Sequence, residues 1–412
     1  MAHDIVVLGA GYAGLAAARK IDQNARARSV DVRVTLVNAS ADFVERVRLH
    51  EVAAGRDVGV HPLAASLEGT GVELTVGWVE GVDLRERRVR VRTDGGAREL
   101  GYDTLVHALG STAGTAPVPG VAEHAHTCAT LDGARAVAAR LAEGGVRRLA
   151  VVGGGLTGIE VATEIAESRP DVRVELLTQG RVAPGTNAKG RAHLLRAFDR
   201  LGVALREETS VAEVDADGVR LTDGTRVAAD LVIWSVGFSI SPLAREAGLT
   251  VARDGRALVD RTQRSVSHPD VYVVGDAAHG ADAGGGVMRM SCAMGLPMGW
   301  TAAEAVVERV AGREPKEVPF GYLAQCVSLG RRDGLIQFVK ADDAPRPFVL
   351  RRGAAARFKE FVVVSAYGSL CGGPRAADSS LAMGRRVARS AARRSSGTAG
   401  AAATAAAAGP RR

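Results

Sequence analysis

Two glycine fingerprints, each closing a short apolar run and opening a helical pattern, constrain this chain more than any other feature. The first is "IVVLGAGYAGLAAARKI" from Ile5, and the second is "LAVVGGGLTGIEVATEIAES" from Leu149. Both carry G-x-G-x-x-G: Gly9, Gly11 and Gly14, then Gly153, Gly155 and Gly158. In such a turn the first glycine permits the sharp strand-to-helix bend. The second lets the backbone approach a pyrophosphate, and the third lets the helix pack close to the sheet. The helix N-terminus then presents free N–H groups and the positive end of its dipole to the phosphates. The two copies stand one domain length apart, which indicates a paired domain rather than a short-repeat solenoid.

The segments around the fingerprints read as alternating strands and helices. In the first unit a strand over Ile5–Leu8, a helix to about Ile21 and the strand "VRVTLVN" ending at Asn38 precede the short strands "VELTV" and "RRVRVRT" and then "YDTLVHALGS" from Tyr102. The second unit runs from about Ala122 through a helical segment, the strand Leu149–Val152, a helix from Thr157, the strand "VRVELLT" ending at Thr178, hairpins at "ADGV" and "TDGT", and "ADLVIWSVGF". Alternation of this kind predicts parallel α/β sheets. The expected fold is therefore α/β, with two Rossmann-like domains and a small C-terminal α+β domain. The first domain is expected to be discontinuous, over residues 1–116 and 245–312, with the second inserted over 117–244; Pro117 and Pro119 mark the connection. Short β-like runs from Gly312 indicate the C-terminal domain over 313–373, and "AAARFKEFVVVSAYGSL" forms either one helix or a helix–strand pair. Residues 374–412 are Ala, Arg, Ser and Gly, which cannot pack a core, and are expected to be disordered.

The net charge of +7 resides in that tail. From Arg375 onward eight arginines face one acid, Asp378, which accounts for the whole excess and leaves the body balanced. A basic face for nucleic acid is thus not expected. Four cysteines, Cys128, Cys292, Cys326 and Cys371, show neither C-x-x-C nor zinc-like spacing, so neither a metal site nor a disulfide framework is expected. No run has the length of a membrane-spanning helix, and a strand begins too early for a signal peptide. A cytoplasmic protein is expected.

In many dinucleotide-binding units an acid closes the second strand and holds the adenosine ribose. Here Asn38 and Thr178 stand at those positions. Asn38 retains hydrogen-bonding capacity toward a ribose. Thr178, followed by Gln179, Gly180 and Arg181, removes the charge that repels a 2′-phosphate and places a cation nearby, so NADH and NADPH both stay open. An exposed loop arginine is the alternative reading of Arg181.

A late motif, "HPDVYVVGDAAH" from His268 to His279, is a strand ending in Gly275-Asp276. It resembles the C-terminal flavin motif of two-dinucleotide-domain flavoproteins, in which the aspartate, here Asp276, hydrogen-bonds the ribityl chain of FAD. The order of fingerprint, "YDTLVHALGS", second fingerprint, "ADLVIWSVGF" and "VYVVGDAA" resembles the pyridine-nucleotide-dependent flavoprotein reductases, over about Ile5 to Val310. "FVERVRLHEVAAG" from Phe43 to Gly55, "VTLVNAS", "GGGLTGIE" and "SLGRRDGLIQF" bring it nearest to the type II NADH dehydrogenases and related quinone reductases.

That resemblance implies FAD on the first fingerprint and NADH or NADPH on the second. The implied cofactor-binding residues are Gly9, Gly11, Tyr12, Ala13, Gly14, Asn38, Arg48, Ala108, Gly110, Gly275, Asp276 and Cys292 for the flavin. For the nicotinamide nucleotide they are Gly153, Gly155, Leu156, Thr157, Gly158, Thr178 and Gly237. The disulfide reductases of the same superfamily carry a C-x-x-x-x-C pair on the helix after the second strand; this chain has no cysteine there, so hydride passes through the flavin directly to an acceptor. A single cysteine such as Cys292 is read as packing. Glu160, one turn before Glu164, falls in the resemblance near the stacked nicotinamide and flavin, where it can bond the amide or relay a proton. A solvated helix face is its alternative, and is the preferred reading for Glu164. His50 and Glu51 read as a structural His–Glu contact.

The implied activity is FAD-dependent NAD(P)H dehydrogenation with a quinone or other small molecule as acceptor. Two departures concern the acceptor. "SCAMGLPMGW" replaces the glutamines that border the family's quinone pocket, with Gln325 the nearest later substitute. The segment carrying Arg357, Lys359 and Phe361 replaces an aromatic-rich membrane helix; it allows peripheral contact with an anionic inner membrane face or a homodimer contact. A ferredoxin-directed or secondary-metabolism reductase, and a non-catalytic NAD(P)H-sensing flavoprotein, remain the competing functions.

Overall fold

The computed structural model describes residues 2–114 and 118–371. The expected Pro117 connection and the 374–412 tail lie outside the described residues. The strand His3–Leu8 sits at the centre of a five-stranded parallel sheet, flanked by Thr104–His107 and then Val271–Val273 on one side, and by Val32–Asn38 and then Glu73–Val76 on the other. A segment more than 150 residues downstream of the rest of the sheet thus supplies one of its edges. The helix after the first fingerprint runs over Tyr12–Arg28, about two turns past the expected end at Ile21, because Ala25 still packs under the sheet and the chain leaves the helix only at Ser29, in the left-handed region.

The second sheet repeats the arrangement. Arg148–Val152 lies between Leu231–Trp234 and Arg173–Leu177, with Ala125–His126 and Ala204–Arg206 at the edges, all parallel. The repeat extends to single hydrogen bonds. Gly9 N–H donates to Val37 O and Ala108 N–H to Leu8 O; Gly153 N–H donates to Leu177 O and Ser235 N–H to Val152 O, each at 2.8 Å. In both sheets the strand order reverses beside the glycine strand, and such a switch point opens a crevice at the carboxyl ends of the strands where ligands bind. The two units are joined by an antiparallel pair, Ser111–Ala113 with Phe238–Ile240.

The predicted hairpins form a three-stranded antiparallel ribbon, Val211–Asp215, Gly218–Leu221 and Arg226–Ala228. At the C-terminus three antiparallel strands, Ala324–Ser328, Gly334–Val339 and Pro345–Arg351, lead into a helix over Arg352–Leu370, so "AAARFKEFVVVSAYGSL" resolves to one helix. This sheet is fastened to the second unit by His193 and Arg200, which both reach the carboxylate of Asp333 at 2.8 Å. Its helix crosses back to the first unit, where Tyr367 stacks on His61 and on Phe43. Among the described residues no helix is long and apolar enough to cross a membrane.

Candidate functional site

The first crevice is built by three close approaches. Gly9 is in a left-handed conformation against Ala108 O, and a Cβ on Gly14 would stand 1.8 Å from Gly9 O and 3.0 Å from the Ala108 methyl. Gly11, by contrast, faces open space, with nothing within 4 Å of an added Cβ. The helix it caps has no side-chain cap and no acid in its first turn, so its leading N–H groups face that space uncompensated. Those are the features a pyrophosphate needs: room against the backbone, free donors and a positive dipole end.

Asn38 closes the loop from below. Its carbonyl accepts the Ala10 N–H at 3.0 Å and its amide donates to Ser40 O at 2.8 Å. It therefore shapes the glycine turn, a role the strand-end position alone does not reveal. Gly275 packs so closely that a Cβ would stand 3.1 Å from the Ala13 methyl. Asp276 follows, half-buried, accepting from Ser111 Oγ at 2.6 Å with Arg46 4.0 Å away. Gly110 lies beside the same Arg46. Tyr12 turns its ring edge to Phe43 and leaves a buried hydroxyl without a partner among the described residues. Cys292 begins the long helix Cys292–Val310 and is exposed. The structure thus brings Gly9, Gly11, Tyr12, Ala13, Gly14, Asn38, Ala108, Gly110, Gly275, Asp276 and Cys292 around one crevice. Arg48 stands apart in use: its guanidinium is spent on Glu45, Glu51 and Glu360, at 3.4, 3.0 and 2.6 Å.

The second crevice has the same construction. A Cβ on Gly158 would stand 2.0 Å from Gly153 O, while Gly155 faces open space and its helix, Leu156–Ser168, again lacks a cap and a first-turn acid. Leu156 is half-buried and Thr157 exposed at the helix entrance, and Gly237 is exposed on the neighbouring strand connection. Thr178 is buried, with its side chain against Gly154, so it packs the turn. The nearby Glu207 is committed to Arg191, at 2.8 and 2.5 Å, and to the Val182 N–H.

Between the crevices lies a charged junction that the glycine motifs do not announce. Glu160 Oε1 accepts from the Ser328 N–H at 3.0 Å and from Lys359 Nζ, and Lys359 also donates to Ser328 Oγ at 2.8 Å. Glu160 Oε2 is 3.8 Å from His50 Nδ1. One turn on, Glu164 pairs with Arg331 at 2.7 Å, and Arg331 also reaches Glu51 at 2.8 Å and His50 at 3.3 Å. The solvated face expected for Glu164 is corrected, and the same alternative for Glu160 is not met, because the C-terminal sheet and helix cover both glutamates. The expected His50–Glu51 contact is corrected too: both are buried and share Arg331 as partner. Lys359, Arg331 and Ser328 were missed as site residues, and only the S-L-G-R-R run hinted at two of them. Gln325 donates to Asp343 at 3.1 Å and packs on Gly185.

Electrostatics follow burial here. Burial, with Lys359, Arg331 and Arg48 alongside, holds His50 well below the ordinary imidazole range, so it is neutral. Burial pushes the Cys128 and Cys326 thiols up to about 12, which suits unreactive groups. Glu164 is pushed from 4.5 to about 7, chiefly by burial and also by Glu51 and Glu167, against the pull of Arg331. An acid whose folded pKa is raised contributes its stability fully below the unfolded value and loses it as pH rises through the folded value. Glu164→Gln, which does not titrate, is therefore expected to gain in Tm on the wild type as pH climbs from 4.5 to about 7. A Tm difference that is constant over that window would show that folding does not raise the Glu164 pKa.

Residues 3–305 match the family described as pyridine nucleotide-disulphide oxidoreductase. An NADH dehydrogenase-like protein of Mycobacterium tuberculosis is 34% identical over 319 residues, covering 72% of this chain and 78% of that protein. A type II NADH:quinone oxidoreductase of the same organism is 26% identical, covering 66% of each chain. The fold is shared with NDH2 of Plasmodium falciparum in complex with NADH, at a TM-score of 0.75 and 14% identity, over 93% of this chain and 99% of that one.

Proposed function

The chain belongs to the pyridine nucleotide-disulphide oxidoreductase family and is a flavin-dependent NAD(P)H oxidoreductase, and from that premise we propose that it passes electrons to a quinone or quinone-like small molecule. FAD in the first crevice and the nicotinamide nucleotide in the second is the assignment we adopt, with the FAD domain over 1–116 and 245–312. The observation that carries the reading is the junction: Glu160 leaves the second glycine helix one turn past Gly155 and meets the C-terminal cover at Ser328 and Lys359.

Bound flavin supplies the two-electron chemistry that links a hydride donor to an acceptor. The chain's own residues do the rest. The two uncapped helix N-termini bind pyrophosphates, and Asp276 and Ser111 orient the ribityl side of the first crevice. Glu160 and Lys359 hold a proton-bearing pair at the meeting point, and the C-terminal helix excludes water from it. The helix that follows the second strand, Leu49–Ala53, carries no cysteine, which supports transfer to the acceptor without a redox disulfide.

Anaerobic NAD(P)H is expected to bleach the yellow protein, and a soluble quinone to restore its colour. Flavin that neither nucleotide reduces sinks the enzymatic reading. Bleaching that only an iron–sulfur protein reverses favours a ferredoxin-directed reductase, and nucleotide-dependent oligomerisation without turnover favours a sensor. With Thr178 packed inward and Glu207 neutralised by Arg191, no available carboxylate among these strand-end residues rejects a 2′-phosphate. NADPH and NADH are therefore expected to reduce the flavin with kcat/KM values within about tenfold of each other. A preference for NADH beyond a hundredfold, in a pair of titrations under the same salt, refutes this.

A further inference from the structure

A cavity of about 370 Å³ opens beside the junction, between the Leu49–Ala53 helix, the turn at 328–332 and the first half of the C-terminal helix. Resting on the quinone-reductase reading above, we propose that this cavity receives the acceptor, and that it selects an aromatic, quinone-like molecule bearing an anionic group.

Its base is apolar, with Val47, Ala356 and Val363, and Val363 is buried. The polar lining divides into spent and unspent charges. The cavity's acids are Glu51 and Glu360. Glu51 is held by Arg48 at 3.0 Å and by Arg331 at 2.8 Å, and Glu360 is held by Arg48 at 2.6 Å. Lys359, on the inner wall, is bound to Glu160 and Ser328. Arg332 and Arg357 are different. Both line the cavity and both are exposed, and among the described residues neither guanidinium has an ion-pair or hydrogen-bond partner. Arg357 reaches back along its own helix toward Gly353, its Nη1 3.8 Å from where a Cβ there would stand, which is an ordinary contact.

An apolar base beneath two unpaired guanidiniums matches a flat ring system with a carboxylate or sulfonate at one edge. Arginine forks recognise such groups with paired charge-assisted hydrogen bonds. The space suits a two-ring aromatic and falls within the range of small-molecule pockets. The ring's inner end abuts Lys359, and through it Glu160, where the nucleotide and flavin crevices meet. The reaction balances as NAD(P)H, one proton and the quinone giving NAD(P)⁺ and the hydroquinone. Two electrons and two protons are gained by the quinone, and the nicotinamide loses a hydride.

Naphthoate and naphthol, both redox-inert, test the site by isothermal titration of the flavin-loaded protein. Naphthoate is expected to bind at least about tenfold more tightly at low salt, with the advantage shrinking as salt rises. The double variant Arg332→Ala/Arg357→Ala is expected to erase the advantage, and Arg332→Lys/Arg357→Lys to keep part of it. In turnover, the ratio of kcat/KM for a naphthoquinone sulfonate over menadione is expected to exceed about tenfold and to fall toward one in the alanine variant. Equal binding of naphthoate and naphthol, or a ratio the alanine pair leaves alone, overturns the anionic selection while the quinone reading stands. Failure of both quinones to reoxidise the reduced protein overturns the quinone reading, and the acceptor assignment with it.

Discussion

Gly14→Ala is expected to yield a protein that purifies with less of its yellow colour, and Gly158→Ala one that keeps the colour but is bleached more slowly at a given NAD(P)H concentration. Each added methyl meets a backbone carbonyl of its own glycine turn, at 1.8 Å from Gly9 O in the first case and 2.0 Å from Gly153 O in the second. A backbone oxygen cannot swing aside as a flexible side chain does, so the helix must retreat from the sheet. Its leading N–H groups then move off the phosphate position. Overpacking of one methyl costs about 1–3 kcal/mol, and at about 1.4 kcal/mol per tenfold the affinity of the affected crevice is expected to drop by roughly one to two powers of ten. The measurements are the visible flavin absorbance per protein and the anaerobic bleaching rate. If Gly14→Ala kept full flavin while Gly158→Ala lost it, the two crevices would have to exchange cofactors.

Lys359→Met is expected to lower Tm by more than any single surface change, because it strands the Glu160 carboxylate. Both side chains of that pair are nearly enclosed, at 11% and 12% exposure. Removing one member of a buried ion pair typically costs about 3–5 kcal/mol, most of it the penalty of the orphaned charge. Glu160→Gln keeps an acceptor for the Ser328 N–H and is expected to cost less, and the double variant Lys359→Met/Glu160→Gln to recover part of the loss. The cycle isolates the coupling. Additive Tm losses would mean that the two charges do not support one another. Glu160→Gln is also expected to preserve flavin content while slowing reduction or quinone turnover, and unchanged kinetics would reduce Glu160 to a clamp for the C-terminal cover.

The legible part of this protein was local. The strand Val32–Asn38 matches its sequence reading to the residue, and both glycine turns fall where their spacing requires. Alternation between strands and helices anticipated the parallel sheets, and the two Asp-Gly turns anticipated the antiparallel ribbon. The illegible part was contact between distant segments. Asn38 read as a ribose ligand, yet its carbonyl holds Ala10, because a side chain at a strand end can turn toward the neighbouring loop as easily as toward a ligand. Glu164 sits on what the sequence presents as the polar face of a helix, and it is buried because the C-terminal sheet lies across that face.

By itself the sequence determined what a short stretch of chain can do: bend at Gly9 and Gly153, pack at Gly14 and Gly158, and start a helix with bare N–H groups. Six residues suffice for that, since the atoms involved are covalent near-neighbours. Only the tertiary structure decided what surrounds Glu160. Its partners Ser328 and Lys359 are 168 and 199 residues away, and no spacing rule spans such intervals. Burial and charge pairing act through space, so the value of a carboxylate one turn past a glycine loop depends on which distant segment folds over it.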